Sequence, residues 1–216
     1  MGLFITFEGI EGCGKTTQIR RLAAALRQQG HDIIETREPG GCDIADQIRA
    51  VLLDAKNSRM TSPAELLLYA AARAQHVAEV IRPALDAGKT VLCDRFCDAT
   101  LAYQGYGRQL DINQITTLND YACQGVRPDA TLLLDLPVEI GLGRARQRNE
   151  QHTGPNEDRF EQESLNFHQR IRQAYLRLAK DEPQRFLTID AQGSPQTVAE
   201  RIASAITSVI QPADQS

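Results

Sequence analysis

The sequence predicts an α/β fold in which a five-stranded parallel sheet is flanked by helices. Three observations point there. Short apolar runs recur along the 216 residues, longer amphipathic stretches separate them, and the first run opens directly into a glycine-rich turn followed by a helical pattern.

The runs read as strands are Leu3 to Phe7, Asp32 to Thr36, Thr90 to Asp94, Ala130 to Asp135 and Arg185 to Ile189. Between the first two, Ile19, Leu22, Ala23 and Leu26 repeat at helical spacing, and Gly30 is placed to end the helix. Ser62-Pro63-Ala64-Glu65 reads as a helix start, with Ser62 as N-cap, Pro63 at the first helical position and Glu65 closing a capping box. That helix carries Tyr69 and Arg73 one turn apart. Ser194-Pro195 opens a last helix whose apolar face is Val198, Ile202, Ala205, Ile206 and Val209, and the tail 211–216 is expected to fray. The one long polar interruption, Asn149 to Asp158, contains Gly154-Pro155 between two helical patterns and reads as a mobile loop. A single domain over 1–210 accommodates all of this.

Composition narrows the classes. Hydrophobic residues make up 42% and charged residues 24%, as in ordinary packed domains. A net charge of −4 argues against a broad basic surface for nucleic acid or anionic membrane, so any anion site must be local. The longest apolar run, Leu66 to Ala72, is too short to span a bilayer, and the N-terminus lacks the pattern of a signal peptide; a cytoplasmic location is expected. Five cysteines without CxxC spacing imply neither a disulfide framework nor a zinc site, and Cys93 and Cys97 read as small apolar filler.

Gly9-Ile10-Glu11-Gly12-Cys13-Gly14-Lys15-Thr16 fits G-x-x-x-x-G-K-[ST] in the context the motif needs, after a strand and before a helix. Glycines let the backbone curl so that the N–H groups from Glu11 through Thr17 face phosphate oxygens, and the following helix points its positive end at them. Lys15 would hold the β- and γ-phosphates of ATP and the Thr16 hydroxyl would bind Mg²⁺. Val91-Leu92-Cys93-Asp94 supplies the second part, an apolar strand ending in an acid that can reach the metal. The fold expected from this motif is that of P-loop NTPases. An Asn-Lys-x-Asp motif, which a guanine-specific switch would carry, is absent from the sequence.

Further runs make the resemblance specific. Phe7 through Thr17, Thr36-Arg37-Glu38-Pro39-Gly40-Gly41, Tyr69-Ala70-Ala71-Ala72-Arg73, Asp94-Arg95-Phe96, Ala102-Tyr103-Gln104-Gly105 and Asp158-Arg159-Phe160-Glu161 occur in the order found in thymidylate kinases, which the chain resembles over nearly its whole length. The resemblance implies phosphoryl transfer from ATP to dTMP in a homodimer. It implies that Arg95 binds the acceptor phosphate, with Arg37, Glu38 and Pro39 nearby, since a guanidinium fork suits phosphate. It further implies that Tyr69 stacks on thymine while Arg73 hydrogen-bonds it, that Gln104 reads the pyrimidine edge beside Tyr103, and that Glu11 approaches the acceptor's 3′-hydroxyl.

Charge developing on the transferred group needs a further cation, commonly an arginine on a closing lid. The phosphate loop contains no arginine, so the sequence resembles the lid type, with the lid spanning about 144–159. Arg144, Arg146, Arg148 and Arg159 flank the polar segment. Arg148 is the first candidate and Arg146 the second. An anionic acceptor needs no strong general base.

Overall fold

The computed structural model describes residues 2–150, 159–160 and 162–210, with the backbone alone for 148–150. The segment 151–158 at the centre of the expected mobile lid and the tail from Gln211 lie outside the described residues. The sheet comprises β1 (Phe4–Glu8), β2 (Ile33–Arg37), β3 (Thr90–Asp94), β4 (Ala130–Asp135) and β5 (Phe186–Asp190). All pairings are parallel and the strand order is β2-β3-β1-β4-β5.

Helices α1 (Lys15–Gln28), α2 (Asp43–Leu53), α3 (Ser62–His76), α4 (Arg82–Asp86), the single turn α5 (Cys97–Thr100), α6 (Ile112–Cys123), α7 (Val138–Glu150), α8 (Leu165–Asp181) and α9 (Pro195–Ile206) provide the crossovers and cover the sheet. Strands covered on both faces read as continuous apolar runs, which is why Val91–Cys93 and Leu132–Leu134 are fully buried. Alternation along β1 sends Ile5 and Phe7 into one core, with Leu22 of α1 and Ile202 of α9, and Phe4 into another, with Val91, Ile81 and Phe96. Each such fully buried side chain contributes roughly 1.5–3 kcal/mol.

Several local expectations need correction. The N-cap of α3 is Thr61 rather than Ser62, and Glu65 closes no capping box; it is buried, 1% exposed, and bound to other elements. At α9, by contrast, Ser194 accepts from Thr197 N as an N-cap should. Two free thiols, Cys97 and Cys123, have Sγ atoms 2.8 Å apart. Among the described residues no helix is long and apolar enough to cross a membrane.

The chain leaves β1 for the far edge, returns to β3 beside it, and then crosses to β4 on β1's other side. The carboxyl end of β1 is therefore the switch point, where parallel sheets open a crevice for ligands.

Candidate active site

A cleft of about 690 Å³ opens at that end of the sheet. Its floor is the phosphate loop. Gly12 has φ 69° and lies so close to α7 that a Cβ would stand 2.0 Å from Gly141 O, so a side chain has neither the backbone freedom nor the space there. Gly14, at φ 97°, is the N-cap of α1, which has no side-chain cap and no acid in its first turn. The first amides of α1 are thus left for an anion. Lys15 is buried, and its Nζ donates to Gly9 O and Ile10 O, both at 3.2 Å, arching over the loop. Cys13 is buried beneath, where burial pushes its thiol up, so it fills space as a neutral group.

Across the floor, Thr16 Oγ1 donates to Asp94 Oδ2 at 3.0 Å. Asp94 ends β3 and the next residue, Arg95, has φ 69°, a left-handed backbone that costs a non-glycine residue on the order of 1 kcal/mol or more. Its N–H is tied to Phe7 O at 2.9 Å, which holds the turn. The Arg95 guanidinium is gripped from three sides. Nη1 donates to Tyr175 OH at 3.1 Å, Nη2 donates to Tyr103 OH at 2.9 Å and to Glu11 Oε1 at 3.2 Å, and the group lies 4.7 Å over the Tyr103 ring. Tyr103 OH passes the chain on to Glu11 Oε1 at 2.6 Å, and Tyr175 OH to Glu8 Oε2 at 2.7 Å.

The two acids differ in state. Glu8 is wholly buried, and burial together with the charge of Asp98 raises its carboxyl to about 7 despite Arg95, Tyr175 OH and the Phe96 amide. Glu11 is lowered to about 2: burial pushes it up, but His168, Arg95, Tyr103 and Lys15 outweigh burial.

The cleft brings together Glu11, Gly12, Cys13, Gly14, Lys15, Thr16, Thr17, Arg37, Glu38, Asp94 and Arg95 of the residues singled out from the sequence. Arg37 is half exposed and donates to Asp46 Oδ1 at 2.9 Å. Other expected residues stand apart. Tyr69 is half-buried on α3, its ring 6.5 Å from that of Phe160, and Pro39 is buried, its carbonyl accepting from Arg49 at 3.0 Å. Arg73, expected to reach a base, is 1% exposed, and its donors go to Glu38 Oε2, Asn119 Oδ1, Phe96 O and Thr100 Oγ1 at 2.6–3.0 Å. Glu38 also holds His76 Nδ1 at 3.0 Å, so Arg73 and His76 together fix the acid of the Arg-Glu-Pro turn. Gln104 is buried, and its amide donates to Glu65 Oε1 at 2.8 Å.

On α7, Arg144 lines the cleft, whereas the exposed Arg146 does not. Helical periodicity puts position 148 one turn from Arg144 and position 146 on another face; the Arg148 side chain lies outside the described residues. Arg49 of α2 also lines the cleft and carries no motif that would reveal it.

Strand order, phosphate loop and a cleft with a second cationic floor define the class: a P-loop protein built for phosphoryl transfer. The sequence model of the thymidylate kinase family matches residues 7–202. The chain is 62% identical to a thymidylate kinase of Trichlorobacter lovleyi over 95% of its own length and 97% of that chain, and 60% identical, over the same shares, to one of Geotalea uraniireducens. It superposes on the crystal structure of thymidylate kinase from Ehrlichia chaffeensis with a TM-score of 0.77 at 32% identity, covering 95% of this chain and 99% of that one. The chain belongs to the thymidylate kinase family.

Proposed function

We propose that the chain transfers the γ-phosphoryl group of ATP to dTMP, giving ADP and dTDP. The observation that carries the reading is the shared cleft: the phosphate loop and Arg95 face one another across Thr16 and Asp94, so two polyanions can meet end to end over one floor. Lys15 and the α1 amides take the donor's phosphates, and Arg95, with Arg37 beside it, takes the acceptor's. The tyrosine grip aims the Arg95 fork before the acceptor arrives, which removes an ordering cost from the reaction. Arg144, with Arg148 one turn on, supplies the cation for charge developing on the transferred group. Tyr69, Gln104 and Tyr103 form the base side.

Thr16 Oγ1 and Asp94 Oδ2 converge as hard oxygen donors, a set that fits Mg²⁺, which takes few protein ligands and keeps waters and substrate phosphates. When bound, the ion would neutralise charge on the β- and γ-phosphates.

We further read the protein as a cytoplasmic homodimer that needs no nucleic acid or membrane. Ile44 and Val51 on α2, Leu67 on α3 and Tyr121 on α6 are 48–83% exposed on helices packed in series, α3 lying against both neighbours, and exposed apolar groups on adjoining helices suit a second copy. Light scattering of Leu67→Glu, expected to shift the protein toward monomer, tests this.

A coupled ADP-release assay with dTMP, dUMP, dCMP, dGMP, AMP and thymidine tests the main reading. Selective turnover of dTMP is expected, and turnover of a different acceptor would overturn the pocket assignment.

A further inference from the structure

His168 is a fully buried ionisable side chain behind the cleft floor that the reaction does not use. It is fully buried on α8, and among the described residues neither ring nitrogen has a hydrogen-bond partner. The same is true of Glu11 Oε2. These orphans are neighbours: His168 Nδ1 stands 3.3 Å from Glu11 Oε2, within reach but not aligned. Two buried polar groups that each lack a partner and face one another are satisfied together by a small rotation. A site needing only bulk would be filled by an apolar ring, as at the adjacent Phe167, which packs against Tyr103 and Phe160.

His168 and Tyr175 are seven residues apart, two turns along one buried face of α8. Tyr175 reaches Arg95 Nη1 and Glu8, while His168 faces Glu11. One helix thus backs both members of the Glu11–Arg95 pair on the cleft floor. Glu11 Oε1 is already held by Tyr103 and Arg95, and among the described residues Oε2 has only His168 beside it.

We infer that His168 is a positioning residue, its Nδ1–H clamping Glu11 Oε2 so that the phosphate-loop carboxylate stays fixed against Arg95 where the acceptor binds. The lowering of Glu11 to about 2 agrees, His168 being the largest of the influences that oppose burial. The inference rests on the reading of the cleft as the acceptor's site, and its test separates the two.

Steady-state kcat and KM for dTMP, with KM for ATP, are measured for wild type, His168→Phe, His168→Asn, Glu11→Ala and the double variant His168→Phe/Glu11→Ala. Phe keeps the ring without a donor; Asn keeps an N–H where Nδ1 sits. His168→Phe is expected to lower kcat/KM for dTMP on the order of tenfold, since small displacements at a reacting centre are amplified, while KM for ATP is unchanged. Asn is expected to restore most of the loss, and His168→Phe to have no further effect on top of Glu11→Ala. Should the Phe variant not fold, His168→Gln, whose amide extends toward the Nε2 side, replaces it in the same cycle. Equal losses with and without Glu11, or equal losses for Asn and Phe, would overturn the inference and leave the kinase reading intact. Absence of dTMP turnover by wild type would overturn both.

Discussion

On the cleft floor, Lys15 and Thr16 open α1, Asp94 ends β3 and Arg95 follows it, so four cleft residues come from two short stretches of chain. Behind the acceptor side the plan reverses. Glu65 of α3 is ringed by Gln104, Arg108 and Arg159, and Arg73 is spent on Glu38, Asn119, Phe96 and Thr100, all from distant parts of the sequence. Groups in the first region line the open cleft, where a ligand can reach them. Those in the second use their hydrogen bonds on one another, because a charge buried without partners is costly. Substitutions in the first should therefore damage turnover, and in the second, folding.

The largest effect expected is on turnover. Lys15→Ala should lower kcat on the order of 10³-fold, the scale for losing a preorganised phosphate contact, with an unchanged far-UV circular dichroism spectrum; retained turnover would remove the loop from the mechanism. Glu65→Ala should cost roughly 3–5 kcal/mol in urea unfolding, because it takes the carboxylate from the buried Arg159 guanidinium and from the half-buried Arg108. A loss no greater than that of an exposed pair such as Arg27–Glu35, about 1 kcal/mol or less, would erase the distinction between the regions.

α7 sharpens the comparison at the cleft's edge. Arg144→Ala should reduce kcat more than Arg146→Ala does, in steady-state assays at saturating ATP, because Arg144 lines the cleft and Arg146 does not. A larger loss at Arg146 would place the active face of α7 elsewhere.

The smallest effect expected is on pH dependence, through Glu8. Its carboxyl is raised from 4.5 to about 7, so between those values the folded state binds a proton that the unfolded chain has released. Stability therefore falls as pH rises through that window. Thermal melts from pH 5 to 8 should show this decline in wild type and a flatter profile in Glu8→Gln; an unchanged slope would assign the dependence to other groups.

Sequence legibility followed the same division. β3 and β4 fall where apolar runs mark them, since strands covered on both faces are apolar throughout. β1, β2 and β5 each end one residue later than the apolar pattern suggests, at Glu8, Arg37 and Asp190. These polar residues are held in the ladder by backbone pairing with Leu133, Asp94 and Asp135, so propensity truncates strands where site residues begin. The phosphate loop was legible because backbone geometry fixes both glycine spacing and lysine position. The Glu38 contact of Arg73 was not legible, because an arginine on a helix face looks alike whether it meets a ligand or a carboxylate 35 residues away. Glu65 fits a capping box by spacing while its partners Gln104 and Arg159 lie far along the chain, and His168 and Arg49 carry no local signature at all.

Following γ-³²P label from ATP in the presence of dTMP, for wild type and Arg95→Ala, asks whether the proposed cleft hands a phosphoryl group from ATP on the phosphate loop to an acceptor phosphate held at Arg95. Label is expected in dTDP with wild type, with little transfer by the variant; label released by wild type as inorganic phosphate, or equal transfer by both proteins, would rule that transfer out.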